Sequence, residues 1–344
     1  MTYIITGIAG FIGSNLAERL LREGNTVIGL DNMGRKGAQE NVDRIRSAGG
    51  NLSFHQGDIR DDKFLTELFG RHRDAEAVFH LAGQVAVTTS VTNPRDDFGS
   101  NALGTFNVLE AVRTNGMDPV LIYSSTNKVY GKMDDLEIQD NGDRYSYSDL
   151  PQGVSETRSL DFHSPYGCSK GTGDQYVIDY ARIYGLRTVC LRQSCIYGIN
   201  QFGIEDQGWV AWFTIAALLG KKISVYGDGK QVRDVLFIDD LLEAYLSAVK
   251  NANLTAGHVY NIGGGPGNTL SIRQLLAYLE AHFGKKIEVS MEDWRPGDQK
   301  VFIADVSKAQ REFGWAPRTS VEQGITKLYQ WASLNIDTLR RLLG

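Results

Sequence analysis

The sequence predicts an α/β protein: a doubly wound parallel sheet followed by a smaller, discontinuous C-terminal lobe. Three observations predict it. Short β-branched runs alternate with amphipathic stretches through the first half of the 344 residues, the pattern of parallel strands covered by helices on both faces. A glycine-rich turn joins the first strand to the first helix. Beyond residue 194 the rhythm gives way to Gly-rich turns, single helices and isolated strands. A chain this long also exceeds the size at which one core usually stops growing, so two packed lobes are expected.

In chain order, strands are predicted at 2–6, 26–30, 51–56, 76–81, 119–124 and 187–193, and helices at 11–23, 61–70, 98–115 and 167–184. The segment 132–163 is polar, rich in Asp, Tyr and Ser and without period, and reads as a long surface loop or lid. A helical stretch at 239–249 and a strand-like one at 258–262 are expected to return to the first lobe. The division is then 1–193 with 235–262 for one lobe and 194–234 with 263–344 for the other.

Composition narrows the function classes. Net charge is −5, with 36 Lys and Arg against 41 Asp and Glu, so no basic footprint points to nucleic acid. A few placed arginines still suffice for an anionic ligand. The three cysteines, Cys168, Cys190 and Cys195, make neither a disulfide framework nor metal-ligand spacing, and no metal is expected. No apolar run reaches the ~18 residues of a membrane span, and the N-terminus runs straight into Tyr3-Ile4-Ile5 without a leader pattern. A soluble, cytoplasmic protein is expected, without membrane or nucleic-acid partners.

Thr6-Gly7-Ile8-Ala9-Gly10-Phe11-Ile12-Gly13 follows an apolar strand and opens an amphipathic helix. Gly7, Gly10 and Gly13 allow a tight turn, close backbone approach to a pyrophosphate, and tight helix–strand packing. The helix N-terminus then offers unpaired N–H groups to the phosphates. Asp31 ends the next strand, where its carboxylate can accept from both adenosine ribose hydroxyls and repel a 2′-phosphate. A Rossmann-type site is expected, with NAD favoured over NADP. Arg35 and Lys36 lie close behind, equally suited to cofactor contact or to a solvated loop. Asp58 with Ile59 follows the third strand, where an Asp can meet the adenine amino group, and Leu81-Ala82-Gly83 ends the fourth, where small residues let the backbone pass a cofactor.

Tyr166 and Lys170 stand four apart at the start of a helical stretch, hence on one face, and Thr126 ends the fifth strand at the carboxyl edge. A phenol of pKa ~10 needs a neighbouring cation to act as a base near neutrality. Lys170 and a positive nicotinamide ring are expected to supply it, while Thr126 holds a substrate hydroxyl against Tyr166 Oη. Thr88, Ser90 and His163 lie near the same edge and suit sugar hydroxyls, or their own turns.

These motifs in this order, T-G-x-x-G-F-I-G, H-L-A-G, S-S-T and Y-G-C-S-K, resemble the extended short-chain dehydrogenases/reductases from end to end of the chain. The resemblance implies an NAD-dependent enzyme acting on a nucleoside-diphosphate sugar, commonly a homodimer paired through helices near 98–115 and 167–184. It implies cofactor contacts at Phe11, Ile12, Asn32, Arg35, Asp58, Ile59, Leu81, Ala82 and Gly83. In Gly227–Asp234 and in Arg295-Pro296-Gly297-Asp298 it places Arg233 and Arg295 on the substrate diphosphate, which suits planar guanidinium groups. Narrower segments are similar to one branch, the CDP-paratose (CDP-tyvelose) 2-epimerases: 31–37, 80–86, 124–131, 160–170 and Asp206-Gln207-Gly208-Trp209-Val210, which brings Gln207 toward the sugar.

Sugar-nucleotide 4,6-dehydratases carry an Asp-Glu pair directly after the Ser/Thr. Here Asn127 and Lys128 stand there, and an amide exchanges no proton usefully, which disfavours dehydration. Cys195, where many relatives place Asn, either touches the sugar or packs as a small hydrophobe. The expected reaction is inversion at carbon 2 through a transient ketone. The alternatives are a 4-epimerase of the UDP-galactose type, a dehydratase, and a non-catalytic NAD-sensing protein; the intact Thr126, Tyr166 and Lys170 argue against the last.

Overall fold

A computed structural model describes residues 1–205, 207–284, 286–295 and 298–343. Seven parallel strands form the main sheet: β1 (Thr2–Thr6), β2 (Thr26–Asp31), β3 (Asn51–Gln56), β4 (Ala77–His80), β5 (Val120–Thr126), β6 (Thr188–Gln193) and β7 (His258–Ile262). Their spatial order is β7-β6-β5-β4-β1-β2-β3. Chain direction across the sheet therefore reverses between β1 and β4, where Tyr3 lies opposite Ala77 on one side and Val27 on the other. A crevice opens at the carboxyl ends of the strands at such a reversal.

Strand periodicity explains the two faces. Ile5, Phe79, Ile122 and Leu191 pack with Leu16, Leu20, Leu241 and Tyr245 of helices Phe11–Arg22 and Ile238–Lys250. Ile4, Val78, Leu121 and Cys190 pack on the other side with Leu65, Val108, Val112 and Val177, from helices Asp62–Gly70, Gly104–Thr114 and Ser164–Tyr184.

Two expectations change in detail. The helix predicted over 98–115 is three pieces: Pro94–Phe98, a π-helical turn Gly99–Leu103, and Gly104–Thr114. The wider turn points Asn101 inward, where Nδ2 donates to Gln84 O at 3.0 Å and its carbonyl accepts from Thr105 Oγ1 at 2.6 Å. The segment 132–163, expected as a long surface loop or lid, is mostly irregular but not wholly so. It carries a short hairpin, Ile138–Asp140 with Tyr145–Tyr147, stitched to later residues. Tyr145 N donates to Lys230 O, Tyr147 Oη to Val301 O and Val154 N to Ile303 O, and Met133 and Val154 join Tyr130 and Phe302 in a small core. A polar segment without period keeps its backbone groups satisfied by such borrowed partners.

A second sheet joins Cys195–Tyr197, Val232–Phe237, Thr269–Ser271 and Val301–Phe302. Strand Val232–Phe237 runs past residue 235 within it, and the chain crosses back to the main sheet at helix Ile238–Lys250 and strand β7. Helices Trp209–Leu219 and Val321–Leu334 pack on each other beside it. Among the described residues no helix is long and apolar enough to cross a membrane.

Candidate active site

The glycine turn is shaped by close approach. Gly7 has φ +74°, and a Cβ there would lie 2.7 Å from Ala82 N; a Cβ on Gly13 would lie 2.3 Å from Gly7 O. Gly10 caps helix Phe11–Arg22 with no side-chain hydrogen bond, which leaves the N–H groups of Phe11, Ile12 and Gly13 to a ligand. Leu81 and Ala82 N–H groups donate to Thr6 Oγ1 at 3.2 and 3.1 Å, so their peptide passes directly beside Gly7. Buried His80 fixes that hydroxyl through Nδ1 at 2.8 Å, and burial lowers its pKa to about 3, so it is neutral.

Asp31 lies at the rim of this cradle. Its carboxylate accepts from Ala9 N at 3.0 Å and Met33 N at 2.8 Å, and the side chain keeps partial exposure for ribose hydroxyls. Asn32 Nδ2 donates to Asp58 Oδ2 at 3.1 Å, and Arg60 ion-pairs with the same carboxylate, whose pKa that arginine holds down at about 2. Ile59 is buried beside them. These residues fit NAD: the cradle is a space that a Cβ would fill, and the carboxylate stands where a 2′-phosphate would be repelled. Arg35 turns from the same loop into the cleft, Nη1 donating to Gln207 Oε1 at 2.5 Å and Nη2 to Gly83 O at 3.5 Å. Lys36 is exposed.

The end of β5 and the first turns of helix Ser164–Tyr184 bring Thr126, Tyr166 and Lys170 together, all buried. The Thr126 hydroxyl lies near enough to the Tyr166 phenol to favour its ionised form. Burial pushes Tyr166 up to about 12; Thr126 and the Arg35 guanidinium push it down, and the Asp97 carboxylate adds to the rise. Lys170 Nζ donates to Ser124 O at 2.5 Å and lies 4.3 Å over the Tyr123 ring, and burial brings its pKa down to about 8. The Arg35 guanidinium also acts on the phenol, a contribution that sequence spacing left ambiguous.

The substrate side divides. Thr88 Oγ1 is buried without a protein partner, suited to a ligand hydroxyl. Ser90, two residues on, is fully buried and its Oγ donates to Val87 O at 2.7 Å, so it closes its own short helix instead of facing the cleft. His163 is partly exposed and pairs with Asp161 of its own loop at 2.9 Å. Asn127 is buried with Oδ1 3.4 Å from Thr126 Oγ1. Arg233 is buried and donates to Asp298 Oδ1 at 2.7 Å, and Arg295 lies 3.9 Å over the Tyr226 ring. Cys195 is partly exposed beside Arg233, Lys128 and Trp209, and burial raises its thiol. Asp206, Pro296 and Gly297 lie outside the described residues.

Sequence reasoning missed two features here. Lys128 Nζ lies 3.7 Å from Asp298 Oδ1, so one carboxylate serves two cations, Lys128 and Arg233. Burial lowers Lys128, and Arg233 adds to it. The other feature is the buried cluster of Asp97, Gln84, Asn101 and Ser169 behind Tyr166. No motif flags either, because their partners are distant in sequence. Among the described residues no group of three or more His, Cys, Asp or Glu is arranged to hold a metal.

Comparison with known proteins agrees with this geometry. Residues 4–328 match the family model described as GDP-mannose 4,6 dehydratase. A CDP-paratose 2-epimerase of Salmonella typhi is 44% identical over 97% of this chain and 99% of its own. Among solved structures, a UDP-glucose 4-epimerase of Thermotoga maritima with UDP-glucose superposes with TM-score 0.84, at 32% identity over 98% of this chain and 100% of that one. The dTDP-glucose 4,6-dehydratase DesIV of Streptomyces venezuelae, with NAD bound, gives TM-score 0.85 at 28% identity over 99% and 100%. With the glycine cradle and the Thr126–Tyr166–Lys170 grouping on one sheet edge, these matches make the chain a member of the extended short-chain dehydrogenase/reductase family, in the group described as GDP-mannose 4,6 dehydratase.

Proposed function

We propose that the chain is an NAD-dependent isomerase that inverts carbon 2 of a nucleoside-diphosphate sugar of the CDP-paratose/CDP-tyvelose type, acting in the cytoplasm. The observation that carries this reading is the full-length 44% identity to a CDP-paratose 2-epimerase, joined to an amide, Asn127, where the dehydratases carry an acid. NAD, when bound, supplies the hydride acceptor and donor, so the reaction has no net redox change and the cofactor stays in place. The protein's residues handle the proton and the pose. Tyr166 takes the proton of the reacting hydroxyl and returns it after the ketone has turned over, and Thr126 holds that hydroxyl against Tyr166 Oη. Lys170, one turn along the same helix, stabilises the phenolate, and Arg35 adds positive charge from the cofactor loop. Arg233 and Arg295 hold the diphosphate, with Lys128 adding charge from the sugar end. Thr88, Asn127, Gln207 and Cys195 line the sugar.

Dehydration needs an acid and a base beside the ketone. Asn127 is an amide, and Lys128 is engaged with Asp298, which leaves direct epimerisation. The main rival is a 4-epimerase, favoured by the likeness to the UDP-glucose enzyme. Incubation with CDP-, GDP- and UDP-hexoses, with product analysed by mass spectrometry, decides between them. Deuterium placed at carbon 2 should stay at carbon 2 of the product, and heavy water should leave no carbon-bound label. Solvent label in the product defeats the direct route, and inversion only at carbon 4 moves the chain to the 4-epimerases.

A further inference from the structure

One buried carboxylate takes no part in this mechanism. Asp97, in the short helix Pro94–Phe98, is fully buried. Its Oδ1 accepts from Gln84 Nε2 at 2.9 Å and Asn101 Nδ2 at 3.2 Å, and its Oδ2 from Ser169 Oγ at 2.5 Å. Ser169 lies between Tyr166 and Lys170 on the catalytic helix, and its hydroxyl also reaches the Tyr166 carbonyl at 3.2 Å. All three donors are neutral. Among the described residues, Asp97 has no Lys, Arg or His at ion-pair distance, and Lys170 has no carboxylate at ion-pair distance. The nearby Asp174 is already taken by Arg192, through Nε and Nη2 each at 2.9 Å. An unpaired buried anion and an unpaired buried cation thus flank Tyr166 in an interior where charges act beyond contact.

We propose that Asp97 is a positioning residue that sets the protonation of Tyr166 and Lys170, through the field of its buried charge and without touching substrate or cofactor. The inference rests on the reading of Tyr166 as the acid–base group. The groups acting on the two residues are few. Thr126, Asp97 and Arg35 act on Tyr166, and Cys190, Asp174 and Asp97 on Lys170. Cys190 is a neutral thiol, its pKa raised well up by burial, and His80 is neutral at about 3. Asp174 also acts on Lys170 but is ion-paired with Arg192, so among the described residues Asp97 is the carboxylate near both groups that has no cation at ion-pair distance. A negative charge favours the protonated form of both members, so its removal lowers both midpoints of the pair. Burial raises the pKa of Asp97 itself, and its Ser169 and Gln84 bonds and Lys170 hold it down.

The test reads Lys170 directly in the NAD-loaded protein. Its ε-carbon resonance, in protein labelled at lysine and assigned by its loss in Lys170→Arg, is titrated from neutral to alkaline pH. Asp97→Asn, with Asp97→Ser as a second variant should the amide not fold, is expected to move the midpoint down from about 8 by on the order of one unit. Ser169→Ala keeps the charge and cuts one hydrogen bond, and should leave the midpoint in place. An unmoved or rising midpoint in the Asp97 variants overturns the proposal, as does Ser169→Ala reproducing their shift. The readout needs no substrate. A shifted midpoint in a chain without epimerase activity supports Asp97 and defeats the proposed function, whereas turnover with an unmoved midpoint overturns Asp97 alone.

Discussion

Tyr166 is a buried phenol held up at about 12 in the absence of any ligand charge. Its use as a base depends on what opposes burial: the Thr126 hydroxyl, the Arg35 guanidinium and, on the proposed reading, Lys170 and a bound nicotinamide. Substituting Tyr166 by Phe keeps the ring and removes the proton carrier, so activity should fall by ~100- to 10,000-fold with the unfolding temperature nearly unchanged. Thr126→Ala should cost less, because Tyr166 retains its position on the helix. Steady-state rates paired with thermal melts check both, and near-normal turnover in Tyr166→Phe would remove the mechanism.

At the scale of elements, the site depends on how β5, β6 and helix Ser164–Tyr184 are tied together. Asp174 from the helix accepts from Arg192 of β6 and, at 2.7 Å, from Ser125 Oγ of β5, next to Thr126. Both partners of the ion pair are buried. Glycines let the elements close: a Cβ on Gly173 would lie 2.4 Å from the Tyr123 hydroxyl oxygen. Arg192→Leu strands a buried carboxylate, and loss of one partner of such a pair costs about 3–5 kcal/mol. Urea unfolding at neutral pH should show a loss of that size. A change under about 1 kcal/mol would mean that Asp174 is compensated by other groups.

For the whole molecule, the outer face of the two helical segments that flank the site on one side is unusually apolar. Phe98, Leu103, Tyr176 and Ile183 are 58%, 42%, 43% and 62% exposed, and Phe106 packs edge-on to Tyr176 with centroids 5.7 Å apart. Exposed apolar side chains of this kind mark an association surface, and we propose that two copies pair through them as a four-helix homodimer. Tyr176→Glu with Ile183→Glu should convert the dimer to a monomer in sedimentation experiments. Wild-type protein that is already monomeric at micromolar concentration counts against the pairing.

The parallel sheet and the glycine cradle were legible because both are local physics. Strand and helix periods recur within ten residues, and Gly7, Gly10 and Gly13 sit on one turn. Thr126, Tyr166 and Lys170 were found because two share a helix face and the third ends a strand, where the fold class itself places ligands. For Ser90, His163 and the 132–163 segment the sequence left two readings open, because nearness in sequence to a site edge does not say which way a side chain turns. Ser90 spends its hydroxyl on Val87 O, and the insert takes its partners from residues 228–230 and 301–303. Only the tertiary structure decided the charges around Tyr166. Arg35 arrives from the cofactor loop, Asp97 from a broken helix more than sixty residues upstream, and Lys128 shares Asp298 with Arg233 across the two sheets. Charge acts through space and burial, and neither is written in the spacing of a motif.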